Sequence, residues 1–210
     1  MEKPTFVKLI ERSYSRYQLR ILESSGYVIL DDYRVERVIP EEVHRLLTRI
    51  LNVYLTQDFN YELKKIVKEM RDLIIYYNDV VPIFKLSHVL LIRAANLGKK
   101  SLGIATSLLR EIMENTEVNE VKTFIRELVH NIKPFKLQVE RKSVLFFRRP
   151  LSKKHIIILD DYSQKRVFKG TTNSQGEIKP YLLPHLRYII DTGNTVKPFE
   201  ATNTEIKIVV

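Results

Sequence analysis

The sequence predicts an α+β chain: an irregular α-helical N-terminal domain with a short β-hairpin, followed by a small antiparallel β-sandwich. Three observations predict it. Apolar residues recur at helical spacing from residue 4 to 133. From residue 135 the apolar period drops to two, in short runs separated by turn residues. The 210 residues give room for two small domains. These are read as residues 1–134 and 135–210, divided at Lys133-Pro134-Phe135, a short junction stiffened by proline for which a limited hinge is expected.

In the first part, Phe6, Ile10, Tyr14, Tyr17 and Ile21 step by four, four, three and four, an apolar stripe on a helix that starts after Pro4 and stops at Gly26. Tyr27 to Ile39 is β-branched and aromatic around Asp31-Asp32 and reads as the hairpin. Pro40-Glu41-Glu42 opens a second helix, with carboxylates at the positive end of the dipole and Val43, Leu46, Leu47, Ile50, Leu51 and Tyr54 as its stripe. A third helix runs from about Asn60 to Asn78. Pro82 is expected to break the pattern, Ser87 to cap a shorter helix closed by Gly98, and Ser101 to cap another through Met113. The last helix spans Val118 to Ile132, before Pro134. In the second part, KLQVERKSVLFF, HIIILDDY, KRVFKGTTN, EIKPYLL, LRYIIDT, VKPFEAT and EIKIVV read as strands.

Composition removes whole classes of function. With no cysteine, disulfides, zinc-thiolate sites, iron–sulfur clusters and thiol catalysis are impossible. No run of about 20 apolar residues exists to span a bilayer, and the N-terminus lacks the pattern of a secretory signal. The absence of cysteine, with Ile-, Lys- and Arg-rich usage and 6 glycines, is the composition expected of a thermophile's protein. The net charge of +10 is uneven: residues 1–134 hold 21 Lys+Arg against 18 Asp+Glu, residues 135–210 hold 14 against 7. Such an imbalance bears on partners and solubility, not on fold.

A search for chemistry finds little, and no enzymatic activity, cofactor, metal or small-molecule substrate is expected. His44, His88, His130, His155 and His185 never stand three or four apart, as a helical metal pair requires. The adjacent carboxylates Asp31-Asp32 and Asp160-Asp161 suit turns, because neighbours on a strand point to opposite faces. Leu97-Gly98-Lys99-Lys100-Ser101 ends like a phosphate loop, but Arg93 stands where the first glycine belongs. The strongest charge feature is Arg141, Lys142, Arg148, Arg149, Lys153 and Lys154, interleaved with Phe146 and Phe147. Three readings stay open. The cations hold phosphates while the aromatics stack bases, or they protect an edge strand from pairing, or they meet an acidic neighbour in an assembly. Eleven tyrosines and no tryptophan suit a chain that forms interfaces.

Within Lys169 to Ile178, β-formers precede a polar Asn-Ser-Gln-Gly turn in which Gly176 supplies a positive φ, and Leu182-Leu183-Pro184 leads into the strand Leu186 to Asp191. This order resembles the transthyretin-like, or collagen-adhesin B-type, seven-strand sandwich, over about residues 150–210. Two departures are visible: His185 follows Pro184 where a glycine is usual, and Asp161 to Lys165 lacks a turn glycine. Some members carry an internal Lys–Asn bond near an acid; Lys153 or Lys154, Asn203 and Glu177 match in type, though such residues are ordinary on a surface. The resemblance implies a binding or architectural module. In overall character the chain resembles virion tail proteins, of the nozzle or adaptor kind, of spindle-shaped viruses that infect hyperthermophilic archaea. That resemblance implies a virion protein made in the host cytoplasm, a homo-oligomeric ring joining the shell to the receptor-binding spike. Its implied partners are other tail and shell proteins, with contact to packaged DNA or lipid. The rival expectation is a nucleic-acid-binding protein that uses the basic 141–154 strip.

Overall fold

The computed structural model describes residues 3–24, 40–78, 80–142 and 148–210; side chains are described for 3–14 and, from 40 onward, throughout those ranges. The expected hairpin at Tyr27 to Ile39, with Asp31-Asp32, lies outside them.

Helices occupy the first part: α1 (Thr5–Ser24), α2 (Glu41–Thr56), α3 (Tyr61–Tyr77), α4 (Val81–Leu97), α5 (Lys99–Asn115) and α6 (Asn119–Asn131). Their orphan end groups find specific partners. Phe6 N–H, an orphan donor in the first turn of α1, donates to Glu127 Oε2 of α6 at 2.9 Å. Asn60 caps α3 by accepting from Glu62 N–H at 2.8 Å, and Asn78 closes it in the left-handed region at φ 48°. Gly98, at φ 113°, ends α4 and starts α5.

Two expectations about helix starts are corrected. Ser87 is not an N-cap, because α4 already begins at Val81 and Pro82 sits in its first turn, where the missing N–H is harmless. Ser101 lies inside the first turn of α5, which Gly98 initiates.

Of the 17 residues of α4, 13 are buried, so the helix is covered on every side rather than along one stripe. Helices α1, α3, α5 and α6 pack around it. Its remaining contacts are with strands.

The strands are β1 (Lys133–Pro134), β2 (Lys136–Lys142), β3 (Arg148–Pro150), β4 (His155–Asp160), β5 (Arg166–Thr171), β6 (Glu177–Ile178), β7 (Tyr181–Leu182), β8 (Arg187–Asp191), β9 (Val196–Glu200) and β10 (Glu205–Val209). They form two four-stranded sheets, β5-β4-β8-β9 and β10-β2-β3 with β6 also on β2, and a small β1-β7 pair. Inward residues alternate along them: Ile156 and Ile158, Tyr188 and Ile190, Leu137 and Val139 are buried. Among the described residues all pairings are antiparallel except one, since β10 runs parallel to β2. The EIKPYLL run is split: Pro180 interrupts the ladder, so β6 pairs with β2 while β7 pairs with β1.

Both positions noted above for lacking a glycine hold a residue in the left-handed region. His185 adopts φ 63° after Pro184, and Gln164 adopts φ 57° in the β4–β5 turn. The Tyr188 hydroxyl donates to the Leu183 carbonyl at 3.1 Å and accepts from its N–H at 3.0 Å, pinning the Leu182-Leu183-Pro184 corner.

The helices and sheets share one hydrophobic core, which runs from Phe6 through Leu90 to Ile190 without interruption. A shared core predicts joint unfolding. Leu90→Ala should cost about 2–5 kcal/mol and lower the helical and the strand transitions together. Chemical denaturation followed by far-UV circular dichroism and by tyrosine fluorescence checks this; two separated transitions would refute it.

Candidate functional site

Four of the strip's six cations lie on a β-ribbon. Strands β2 and β3 are antiparallel, with Glu140 opposite Pro150, Arg141 opposite Arg149 and Lys142 opposite Arg148. Leu137 and Val139 are buried, but Arg141, Lys142, Arg148 and Arg149 are exposed, so the ribbon continues past the core with both faces open to solvent. Directly opposed residues share a face, and neighbours along a strand alternate. Arg141 and Arg149 therefore stand together on one face, Lys142 and Arg148 on the other. Neither pair has an acid among the described residues within ion-pairing distance. Phe146 and Phe147, the expected stacking aromatics, lie outside the described residues.

The root of this ribbon is fixed. Leu151 N–H donates to the Val139 carbonyl at 2.8 Å, and Val139 N–H to the Gly176 carbonyl at 2.9 Å. Gly176 has φ 75°, and a Cβ there would stand 2.6 Å from the Val139 oxygen, so any side chain would be strained and would force the Val139 carbonyl to shift. The buried Thr172 hydroxyl donates to the Leu151 carbonyl and accepts from Lys154 N–H at 3.0 Å. This holds the turn carrying Lys153, exposed and at φ 53°, and the half-buried Lys154. Glu177, named above as a match to the Lys–Asn pattern, is engaged by Lys136 at 3.1 Å. Gly176→Ala should lower stability by about 1–3 kcal/mol through the positive φ and the close carbonyl. A urea titration measures it, and an unchanged midpoint would contradict the tight root.

A second constellation was not legible in the sequence. His88, from the middle of α4, and Asp160, the last residue of β4, are both fully buried where helices meet sheets. His88 Nε2 lies 3.2 Å from Asp160 Oδ1, close enough for an ion pair but not aligned as a hydrogen bond. Asp160 Oδ2 accepts from Ser163 N–H at 2.7 Å, so the expected turn role of Asp160 is present beside the unexpected pairing. The ring of Tyr14 meets His88 edge-on at 6.4 Å and lies 5.7 Å from Tyr162, whose hydroxyl donates to Glu11 Oε1 at 3.0 Å. Burial and the Glu11 carboxylate both raise the Tyr162 pKa well above its ordinary value. Burial would raise Asp160 too, but the His88 ring and the Ser163 donors outweigh it and hold the carboxyl below its ordinary value.

Asn96 joins the parts a second way. Its amide donates to the Tyr181 carbonyl at 2.9 Å and its oxygen accepts from Tyr181 N–H at 2.8 Å, as a neighbouring strand would. Lys165 Nζ reaches Glu69 Oε2 at 2.7 Å.

The other histidines are dispersed. His130 and His155 are exposed, and His44 and His185 half-buried. Among the described residues, no three His, Asp or Glu side chains group as a metal site, and no helix is long and apolar enough to cross a membrane. No protein-family model, no curated protein and no solved structure matches this chain.

The His88–Asp160 contact predicts a pH dependence. Because the carboxyl is lowered in the folded state, its stabilisation is complete above the unfolded value, about 4, and is lost as pH falls through the lower folded value. Asp160→Asn should be less stable at neutral pH yet lose stability less steeply between about pH 4 and 2. Melting temperatures of both proteins across that range check the sign; parallel profiles would refute it.

Proposed function

We propose that this chain is a non-enzymatic structural subunit that assembles with copies of itself, and that its setting is a virion tail, where a ring of copies joins the shell to the receptor-binding spike. The observation that carries self-assembly is the outer surface of α2 and α3. Val53, Tyr61, Ile75 and Tyr76 stand 47%, 69%, 50% and 76% exposed. Tyrosine presents an apolar body with a polar edge, the combination favoured where one surface covers another. The shared core supports the reading, since a subunit that packs as one block repeats the same contact around a closed ring. The virion setting rests on the resemblance in composition and in the order of helices and sandwich.

Light scattering after size exclusion, at low and high salt, tests it. A discrete multiple of 24.8 kDa that persists at high salt is expected, because apolar and tyrosine contacts are not screened. Ile75→Asp with Tyr76→Asp should shift that species toward monomer while the far-UV circular dichroism stays that of a folded chain, as both side chains are exposed. A wild-type monomer at every concentration and salt, absent from purified particles, would overturn the proposal.

A further inference from the structure

We infer that the β2–β3 ribbon enters a groove of double-stranded DNA, with its two faces against the two phosphate walls. The inference stands apart from self-assembly: it concerns a different surface and holds for a monomer or a ring.

The argument begins with cost. Like charges directly opposite on a ladder destabilise it. This ribbon has two such pairs in succession, Arg141–Arg149 and Lys142–Arg148. Glu140, two residues from Lys142 on the same face, forms no ion pair with either cation. Protecting an edge needs only an occasional charge on one strand, and Pro150 already blunts β3 by lacking an N–H. Two opposed pairs of cations, one on each face, exceed that need, whereas an anionic partner would turn the repulsion into binding.

Geometry selects the partner. A membrane or an acidic protein surface presents one plane and would meet one face of the ribbon, leaving the opposite pair unrelieved. A duplex groove presents phosphates on both sides. A β-layer with its side chains is about 10 Å thick from face to face, and the major groove of B-form DNA, about 12 Å wide, admits a two-stranded ribbon. The A-form major groove of duplex RNA is too narrow and deep for one. The core-fixed root at Gly176 and Thr172 holds the cations outward before any partner arrives.

Fluorescence anisotropy with a 24-base-pair DNA of arbitrary sequence tests this, on the full chain, between about 50 and 200 mM salt. Four phosphate contacts predict a slope of about −3.6 in log affinity against log salt, a loss of roughly 150-fold over that range. Arg148→Ala with Arg149→Ala should bring the slope to about −1.8 and, with two repulsions removed, should not lower the melting temperature. Arg110→Ala with Arg126→Ala removes the same charge from exposed helix positions and should leave the slope unchanged. Duplex RNA of the same sequence and anionic phosphatidylserine vesicles serve as competitors and should displace the DNA poorly. The inference is overturned by absence of DNA binding at 50 mM salt, by equal loss in both double variants, or by equal competition from RNA or vesicles.

Discussion

A helix that is apolar on all sides cannot rest at a surface. Helix α4 is such a helix, and its cover dictates the architecture. Four helices enclose part of it, and β5 and β7 take the rest. The helices alone would leave a strip of α4 wet, and the small sheets alone would have little core. The composition change near residue 134 is therefore a change of secondary structure inside one core rather than a gap between two.

Burial on this scale forces the polar groups at the seam to find partners. Asn96 does so by imitating a strand against Tyr181. His88 does so only in part, approaching Asp160 at 3.2 Å without an aligned hydrogen bond, while the Ser163 N–H holds the other carboxylate oxygen. A buried carboxylate is costly unless matched, so removing either member of this contact leaves the other buried without its partner. Tyr14, Tyr162 and Glu11 extend the polar seam toward the surface.

Far from the seam the constraint is reversed. Past Val139 the β2–β3 ribbon has no core to face, and its side chains answer to charge alone. The self-assembly proposed for the α2–α3 surface and the groove binding inferred for the ribbon would use separate surfaces, so a ring of such subunits would carry a cationic ribbon on every copy. Both rest on side chains that the fold leaves open rather than on any interior site.

Much of the fold was written locally. Helical periodicity in Phe6 and Ile10, the cap residues Asn60 and Asn78, and Gly98 between two helices determine elements without reference to anything distant, because each acts within a turn or two of chain. The strand runs and the Gly176 turn were legible for the same reason. What tertiary structure decided was everything set by partners far along the chain. Ser87 resembled a cap, yet it is interior, because covering α4 on all sides carries the helix back to Val81. Arg148 to Pro150 read as part of a strip of charge, and only pairing with β2 makes it a strand whose cations oppose those of its neighbour. The parallel β10–β2 pairing joins residues about 70 positions apart, beyond any local pattern. His88 and Asp160, 72 residues apart, carry no mark of each other in the sequence; the shared core brings them together. Local sequence set the pieces, and the need to bury α4 set their arrangement.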